Sequence, residues 1–343
     1  MSPIGQLLLR NLSGIYSDSE LLWINPFADE TWLALTGHAP NLSLFSQDYP
    51  AWFRLKKAGA RAVFGDFPVA ATVTLDHLIL TLPRSKQRLE MMLNCARSLL
   101  PKNGRLWLAG ENRAGIRSSP KFLERWFGRI QKLDSARHCS LYEALEPVTK
   151  SPFNARDYHS DWRLEHRDFK LSIHSWPGVF AHGKLDAGTR LLLDQLAGLR
   201  VQGSVLDFGC GCGVIAACLG VLHPEIKITM IDSDALALRS AVQTINANEL
   251  DADIFPSSGL NDLQQRFDLI VTNPPFHYEY RTDMTMSMQL LEPIRNFLNP
   301  HGQLLMVVNR HIPYRKWLDR VFGHHEVLAS NPQFQVLHAV QSH

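Results

Sequence analysis

The chain has 343 residues, 45% of them hydrophobic, with 35 Lys+Arg against 33 Asp+Glu. That length predicts two domains. No stretch approaches the ~20 uninterrupted apolar residues that span a bilayer, and Met1 to Leu12 lacks a basic head and a long apolar core, so neither a membrane span nor a signal peptide is expected.

Charge divides unevenly. Residues 1–150 carry 19 Lys+Arg and 13 Asp+Glu, and residues 151–343 carry 16 and 20, so a +6 half precedes a −4 half. A basic half joined to an acidic one points to an anionic partner for the first. Cys95, Cys139, Cys210, Cys212 and Cys218 are odd in number and scattered, which argues against a disulfide framework and for a reducing cytoplasm. Cys210-x-Cys212 has no second pair to complete a zinc site. No metal is expected, and the two read as small residues in a glycine loop.

In chain order, Leu22-Trp23-Ile24-Asn25-Pro26-Phe27 stands near a first strand with no glycine loop after it. Ten Lys+Arg against three acids fall between Arg97 and Arg137. Arg113, Arg117, Lys121, Arg125 and Arg129 recur every four residues, which predicts a basic stripe on a helix over about Pro120–Lys132 that suits a phosphate backbone. A merely solvated helix face has the same pattern. Residues 151–170 read as the join, with the second domain over 151–343.

From Ser204 onward strands and helices alternate. Ser204–Asp207, Lys227–Ile231, Ala252–Phe255, Phe267–Thr272 and Gln303–Val308 read as strands. Val214–Val221, Ala235–Asn248 (capped by Ser233 or Asp234), Thr285–Leu298 and Pro313–Val321 read as helices. Glu326–Ala329 and Gln333–Val340 read as a closing hairpin. The pattern predicts an α/β fold: a mostly parallel twisted sheet with helices on both faces and a terminal antiparallel hairpin. The first half echoes it. Leu78–Pro83 resembles Leu269–Pro274 at an offset of 191, Leu99–Leu106 resembles Phe297–Leu304 at 198, and Asn112-Arg113 matches Asn309-Arg310 at 197. Order is kept, so the fold reads as duplicated, in two tandem domains. Leu82 stands where Asn273 does. The first copy is therefore expected to have lost cofactor site and catalysis.

Two segments carry chemistry. Gly209, Gly211 and Gly213 follow a strand and open a helix, where glycine permits a tight turn and close backbone approach to a ligand. A dinucleotide pyrophosphate loop spaces its glycines G-x-G-x-x-G. Here the third comes one residue early, and Asp207 precedes the loop. A carboxylate there disfavours pyrophosphate and suits a cationic ligand such as the amino-acid end of S-adenosylmethionine (SAM). Asp232, ending the next strand, is placed to accept ribose hydroxyls; Ser233 adjoins it, and Ser257 and Ser258 are candidates for the adenine side.

Asn273-Pro274-Pro275-Phe276 ends the fourth strand on the same side of the sheet. An exocyclic amine conjugated to a ring is a weak nucleophile that needs positioning more than a base. The Asn273 side-chain oxygen and the Pro274 carbonyl can accept its N–H bonds and aim its lone pair at a methyl donor. Pro275 stiffens the loop, and Phe276 offers a face for a flipped base. His277 reads equally as a substrate contact and as a surface histidine. By itself the segment fits guanine, adenine or a glutamine amide.

Over nearly its whole length the chain resembles the class I methyltransferase family of ribosomal RNA small-subunit guanine-N2 methyltransferases. The resemblance lies in Gly110–Ser118, Asp134–Arg137, Pro177–Phe180, Leu185–Thr189, the glycine loop and Asn273–His277. It implies two tandem methyltransferase-like (Rossmann-like) domains, only the second binding SAM, and methylation of guanine N2 in 16S rRNA within small-subunit particles; a monomer is expected. It implies that the first domain supports RNA binding, for which the basic recurrence offers Arg113, Arg117, Lys121 and Arg125, and that Phe180, Asp186 and Thr189 lie beside the cofactor. Asp186 is equally suited to cap the helix near Ala187. The large-subunit relatives share Asn273–His277 and the Asn309-Arg310-His311 phrase. Protein glutamine N5 and DNA adenine N6 methyltransferases carry Asn-Pro-Pro with Tyr at the place of Phe276. A SAM-sensing rRNA assembly factor is the non-enzymatic alternative.

Overall fold

A computed structural model describes residues 1–69, 74–148, 152–166, 169–274 and 292–341. Pro275, Phe276, His277 and residues 285–291 of the expected helix lie outside them. The chain forms two compact units, Met1–His159 and Ser160–His343.

Unit 1 holds one seven-stranded sheet. Its strands are β1 (Leu21–Ile24), β2 (Leu42–Ser46), β3 (Ala62–Phe64), β4 (His77–Thr81), β5 (Arg105–Glu111), β6 (Phe127–Ala136) and β7 (Cys139–Pro147), in the order β3-β2-β1-β4-β5-β7-β6. The first five run parallel, and β7 and β6 close the sheet antiparallel. All four residues of β1 are buried, the run of apolar residues that a strand covered on both faces requires. The helix Lys86–Leu99 returns the chain from β4 to β5. Its N-cap is Ser85, whose side chain accepts from Arg88 N at 3.2 Å. Residues 152–159, which the sequence reading gave to the second domain, touch unit 1: Tyr158 Oη accepts from Asn94 Nδ2 at 2.8 Å, and Phe153 meets Phe67.

The helix expected over Pro120–Lys132 is wrong. Only Pro120–Leu123 is helical, and β6 begins at Phe127. Trp126 donates its backbone N–H to Leu123 O and its indole N–H to Glu90. Phe127 is buried opposite Pro147 in register with β7. Gly128 weakens a helix by about 1 kcal/mol, and the long β6–β7 pairing prevails. The four-residue recurrence lay on exposed charges, which no core contact holds to a helical period.

Unit 2 opens with an antiparallel hairpin, β8 (Ser160–His166) and β9 (Phe169–Ser175). The helix Ala235–Ala247 and its C-cap Asn248 receive it: Ser172 N donates to Asn248 Oδ1 at 2.9 Å, and His174 N to Thr244 Oγ1 at 3.0 Å. A second seven-stranded sheet follows. Its strands are β10 (Ser204–Phe208), β11 (Lys227–Asp232), β12 (Asp253–Pro256), β13 (Phe267–Thr272), β14 (Leu298–Asn309), β15 (Glu326–Ser330) and β16 (Phe334–Val340), in the order β12-β11-β10-β13-β14-β16-β15. Helices Ala187–Leu196, Val214–Leu222, Ala235–Ala247 and Tyr314–Phe322 accompany it. At its C-terminal end the helix expected over Thr285–Leu298 departs from expectation: Glu292–Phe297 is a 3-10 turn, and β14 starts at Leu298.

The two sheets share one strand order, and their registers carry two of the offsets of the sequence echo, 191 and 197, with Leu106, set at 198 in the echo, falling at 197 in the sheet. Leu78 pairs with Leu106 as Leu269 pairs with Gln303, which is 191 for the first partner and 197 for the second. Leu80 pairs with Ile24 as Val271 pairs with Asp207. The buried Ile24 thus holds the place of Asp207. Ile24 pairs with Phe45, and Asp207 with Met230, so Gln47 holds the place of Asp232. Gln47 is 2% exposed. Its amide accepts from Asn25 Nδ2 at 3.2 Å and donates to Asp66 O at 2.7 Å, and its backbone N–H reaches Asn25 Oδ1 at 2.9 Å. Where unit 2 has a glycine loop beside a carboxylate, unit 1 has side-chain amides bonded to each other.

Candidate active site

The C-terminal ends of β10, β11, β12, β13 and β14 in unit 2 surround a cavity of about 510 Å³. Its floor is the loop Phe208–Cys212. Its walls include Phe180, Asp186 and Thr189 on one side, Asp232–Asp234 and Ser257–Gly259 on another, and Asn273 and Pro274 on a third.

The three loop glycines have φ of +73°, +54° and +79° at Gly209, Gly211 and Gly213, conformations that side chains with a Cβ rarely adopt. They do different things. A Cβ on Gly209 or Gly211 would meet nothing within 4 Å, so their backbones border open space. A Cβ on Gly213 would lie 3.0 Å from Met230 Cε and 3.3 Å from Ala241 Cα. Gly213 lets the following helix sit close to its neighbour and does not line the cavity.

Asp232 stands on the cavity wall. Its Oδ2 accepts from Gly211 N at 2.9 Å and its Oδ1 from Asp234 N at 2.9 Å. Burial, together with the charge of Asp234 and against these amide bonds, lifts the carboxyl to about 6. Asp207 is fully buried beneath the loop and does not line the cavity. Its Oδ2 accepts from Ala216 N at 3.1 Å, while Oδ1 has no hydrogen-bond partner among the described residues. Burial pushes this carboxyl up to about 7, with Asp232 adding to the rise. Asp207 therefore ties the loop to the helix Val214–Leu222 from beneath the cavity floor. Burial also raises the Cys210 and Cys212 thiols, Cys212 to about 12, so both are neutral wall groups.

Ser257 and Ser258 line the cavity, but both are engaged in their own turn. Ser257 Oγ donates to Gly259 O at 2.6 Å and lies 3.0 Å from Asp262 Oδ2, which also accepts from Ser258 N at 2.7 Å. Ser233 lines the wall; Asp234, not Ser233, caps the next helix by accepting from Leu236 N at 3.1 Å. Phe180 is 59% exposed at the mouth.

Asn273 connects to a segment 84 residues earlier. Its Nδ2 donates to Thr189 Oγ1 at 2.9 Å and lies 3.5 Å from Asp186 Oδ2. Asp186 caps the helix Ala187–Leu196 through Thr189 N at 3.0 Å. No hydrogen bond engages Asn273 Oδ1 among the described residues. Arg113, Arg117, Lys121 and Arg125 belong to unit 1 and are exposed. Arg113 is ion-paired with Glu111, and Arg125 with Glu90 at 3.2 Å.

Sequence reasoning missed Lys184, Asn309 and Phe334 as lining residues. Asn309 was visible as a member of the repeated phrase. Phe334 pairs with Asn309 across the antiparallel strands, and Gly188 is its only sequence trace: a Cβ there would lie 3.0 Å from the Phe334 ring. Lys184 is the one cation among the described lining residues, against Asp186, Asp232 and Asp234.

A parallel sheet with an antiparallel hairpin, a glycine loop at the end of its first strand and an acid at the end of the second define a class I methyltransferase domain. Comparison with known proteins agrees. Residues 170–338 match the methyltransferase small domain, and residues 5–162 match its N-terminal companion, methyltransferase small domain N-terminal. Relatives named ribosomal RNA small subunit methyltransferase C include that of Aliivibrio fischeri, 32% identical over 98% of both chains. That of Serratia proteamaculans is 35% identical over 99% of this chain and 95% of its own. The chain belongs to the ribosomal RNA small subunit methyltransferase C family. In fold it also resembles a T. thermophilus 16S rRNA N2 methyltransferase solved with AdoMet and guanosine, with a TM-score of 0.85 at 23% identity over 99% of this chain and 92% of that one.

Proposed function

We propose that the chain transfers a methyl group from SAM to the exocyclic N2 of a guanine in 16S rRNA, acting as a cytoplasmic monomer on small-subunit particles. The observation that carries the reading is Asn273: it lines the cavity with its amide nitrogen engaged and its oxygen unengaged among the described residues, in a family whose relatives are named for methylation of small-subunit rRNA.

The residues present fit SAM. The open space over Gly209 and Gly211 admits a ligand against bare backbone, and the Asp186, Asp232 and Asp234 carboxylates suit a cation. Asp232 would accept the ribose hydroxyls, the loop would receive the amino-acid end above the buried Asp207, and Ser257–Gly259 would border the base. When bound, SAM supplies an electrophilic methyl on a sulfonium.

The protein's own task is to present the nitrogen. The guanine N2 lone pair is delocalised into the ring, so a proton acceptor adds little before transfer. Asn273 Oδ1 and the Pro274 carbonyl accept the two amine N–H bonds, which turns the lone pair toward the methyl and fixes the attack distance. Those acceptors strengthen as positive charge builds on nitrogen during transfer, and the proton then leaves to water. Phe276 and His277 are proposed to hold the flipped base. Unit 1 is proposed to be a degenerate copy that grips RNA: its bonded amides replace the loop, and Arg117, Lys121 and Arg129 are exposed without an ion pair among the described residues.

The test is transfer of labelled methyl to purified small-subunit particles, large-subunit particles, release factor and DNA, followed by nuclease digestion and mass spectrometry. N2-methylguanine in 16S rRNA is expected. Label in a glutamine or an adenine would overturn the target assignment. Asn273→Ala should abolish transfer and leave SAM affinity near wild type; persisting transfer would sink the mechanism.

A further inference from the structure

An asparagine amide is useful to an amine only in one orientation. With Oδ1 toward the cavity it accepts the amine's N–H. Rotated by half a turn it presents N–H to N–H, and the contact becomes repulsive. The two ends of the amide have nearly the same shape, so shape alone does not distinguish the two orientations. A neighbouring hydrogen-bonding group has to choose.

The choice is made by the direction of a hydrogen-bond chain. Thr189 is 6% exposed and carries a single hydroxyl proton. Asp186 Oδ2 lies 3.5 Å from Thr189 Oγ1. An ionised carboxylate only accepts, so the hydroxyl proton points to Asp186, and the Thr189 oxygen is left as an acceptor. The one end of Asn273 that satisfies an acceptor is Nδ2, which stands 2.9 Å away. Asp186 is fixed in turn as the cap of the helix Ala187–Leu196, through the Thr189 backbone N–H. Polarity thus runs one way, from Asn273 N–H to the Thr189 hydroxyl to the Asp186 carboxylate.

We propose that Thr189 is a positioning residue for methyl transfer: with Asp186 as its anchor, it sets which end of the Asn273 amide faces the target amine. The proposal rests on the reading above that Asn273 Oδ1 receives that amine. It assigns Thr189 a role toward catalysis through Asn273, distinct from one of lining the cofactor.

Three variants of the full-length protein separate the possibilities, each assayed with small-subunit particles at saturating SAM and titrated with SAM by calorimetry. Thr189→Val keeps the shape and removes the hydroxyl. It should lower kcat about 100-fold, the scale of a misplaced reacting group, with KM for particles within about threefold of wild type. Thr189→Ser restores the hydroxyl and should return kcat to within about threefold. Thr189→Ala removes the hydroxyl in a smaller side chain that a helix accepts readily, so kcat should again fall about 100-fold with KM for particles within about threefold of wild type. Saturable SAM binding shows that a variant is folded. If Thr189→Val does not fold, Thr189→Ala carries the test. Wild-type kcat in a folded Thr189→Val or Thr189→Ala overturns the proposal, as does Thr189→Ser failing to restore it. If the wild type itself methylates no guanine, the proposed function has failed, which is a different outcome.

Discussion

Asp207→Asn isolates the cost of the buried acid under the loop. Asp207 is fully buried with one oxygen unpartnered among the described residues, and its carboxyl is lifted from 3.8 to about 7. Between those values the folded protein holds a proton that the unfolded chain has lost. Stability therefore falls as pH rises through that window and levels off above it. Each pH unit inside the window removes about 1.4 kcal/mol, so ligand-free wild type should lose about 2–3 kcal/mol at this position between pH 5 and pH 8. Asparagine keeps the bond from Ala216 N and has nothing to ionise. Its unpaired amino group costs about 1–3 kcal/mol, but equally at every pH. The stability of Asp207→Asn relative to wild type should thus rise by about 2–3 kcal/mol over that range, whatever its starting value. Urea unfolding of both proteins without SAM, followed across pH, measures it. Asp232 also titrates, with a carboxyl raised to about 6, but it is common to both proteins and largely cancels. A difference that stays flat within about 0.5 kcal/mol, or shrinks as pH rises, would refute an acid raised by burial.

The glycine loop predicts a crossed pair. Gly213→Ala combines about 1–2 kcal/mol of left-handed strain with contact at Met230 and the Ala241 backbone, so it should lower the melting temperature more than Gly211→Ala. Gly211→Ala has the strain alone, but its Cβ enters the cavity, so by calorimetry it should weaken SAM at least tenfold; equal affinity in wild type and Gly211→Ala would remove this backbone from the ligand. Reversing Arg117, Lys121 and Arg129 to Glu should weaken particle binding and flatten its dependence on salt, since each lost phosphate contact lowers the slope by about one. Unchanged filter-binding affinity at low salt would take the RNA role away from this surface.

The parallel strands of unit 2 were legible because each is a short apolar run between turn signals, and tertiary pairing then moved their ends by only a few residues. The duplication was legible because an offset in sequence is also an offset in register: Leu78 and Leu269 occupy the same rung of their sheets. Arg125 and Arg129 misled because charges in water keep no period, while the buried Phe127 beside them fixes a strand. The residue type of Asp207 announced a cationic ligand, but sequence carries no depth, and its place beneath the cavity floor was invisible. The link from Asn273 to Thr189 spans 84 residues and leaves no local pattern at either end. Gln47 was equally hidden, since only the pairing of β1 with β2 aligns it with Asp232.

Ile24 in the place of Asp207 has a further consequence. A buried isoleucine needs no hydrogen-bond partner and carries no desolvated charge, so the first sheet is complete without a ligand. The second keeps an acid whose burial disfavours the charged form, and a cation in the cavity offsets that. On the proposed division of labour, one polypeptide contains a scaffold and its own unligated comparison, built from the same strand order. Heated together, the two sheets should part company: added methyl donor raises the melting of the second, by RT ln(1 + [L]/Kd), and leaves the first where it was.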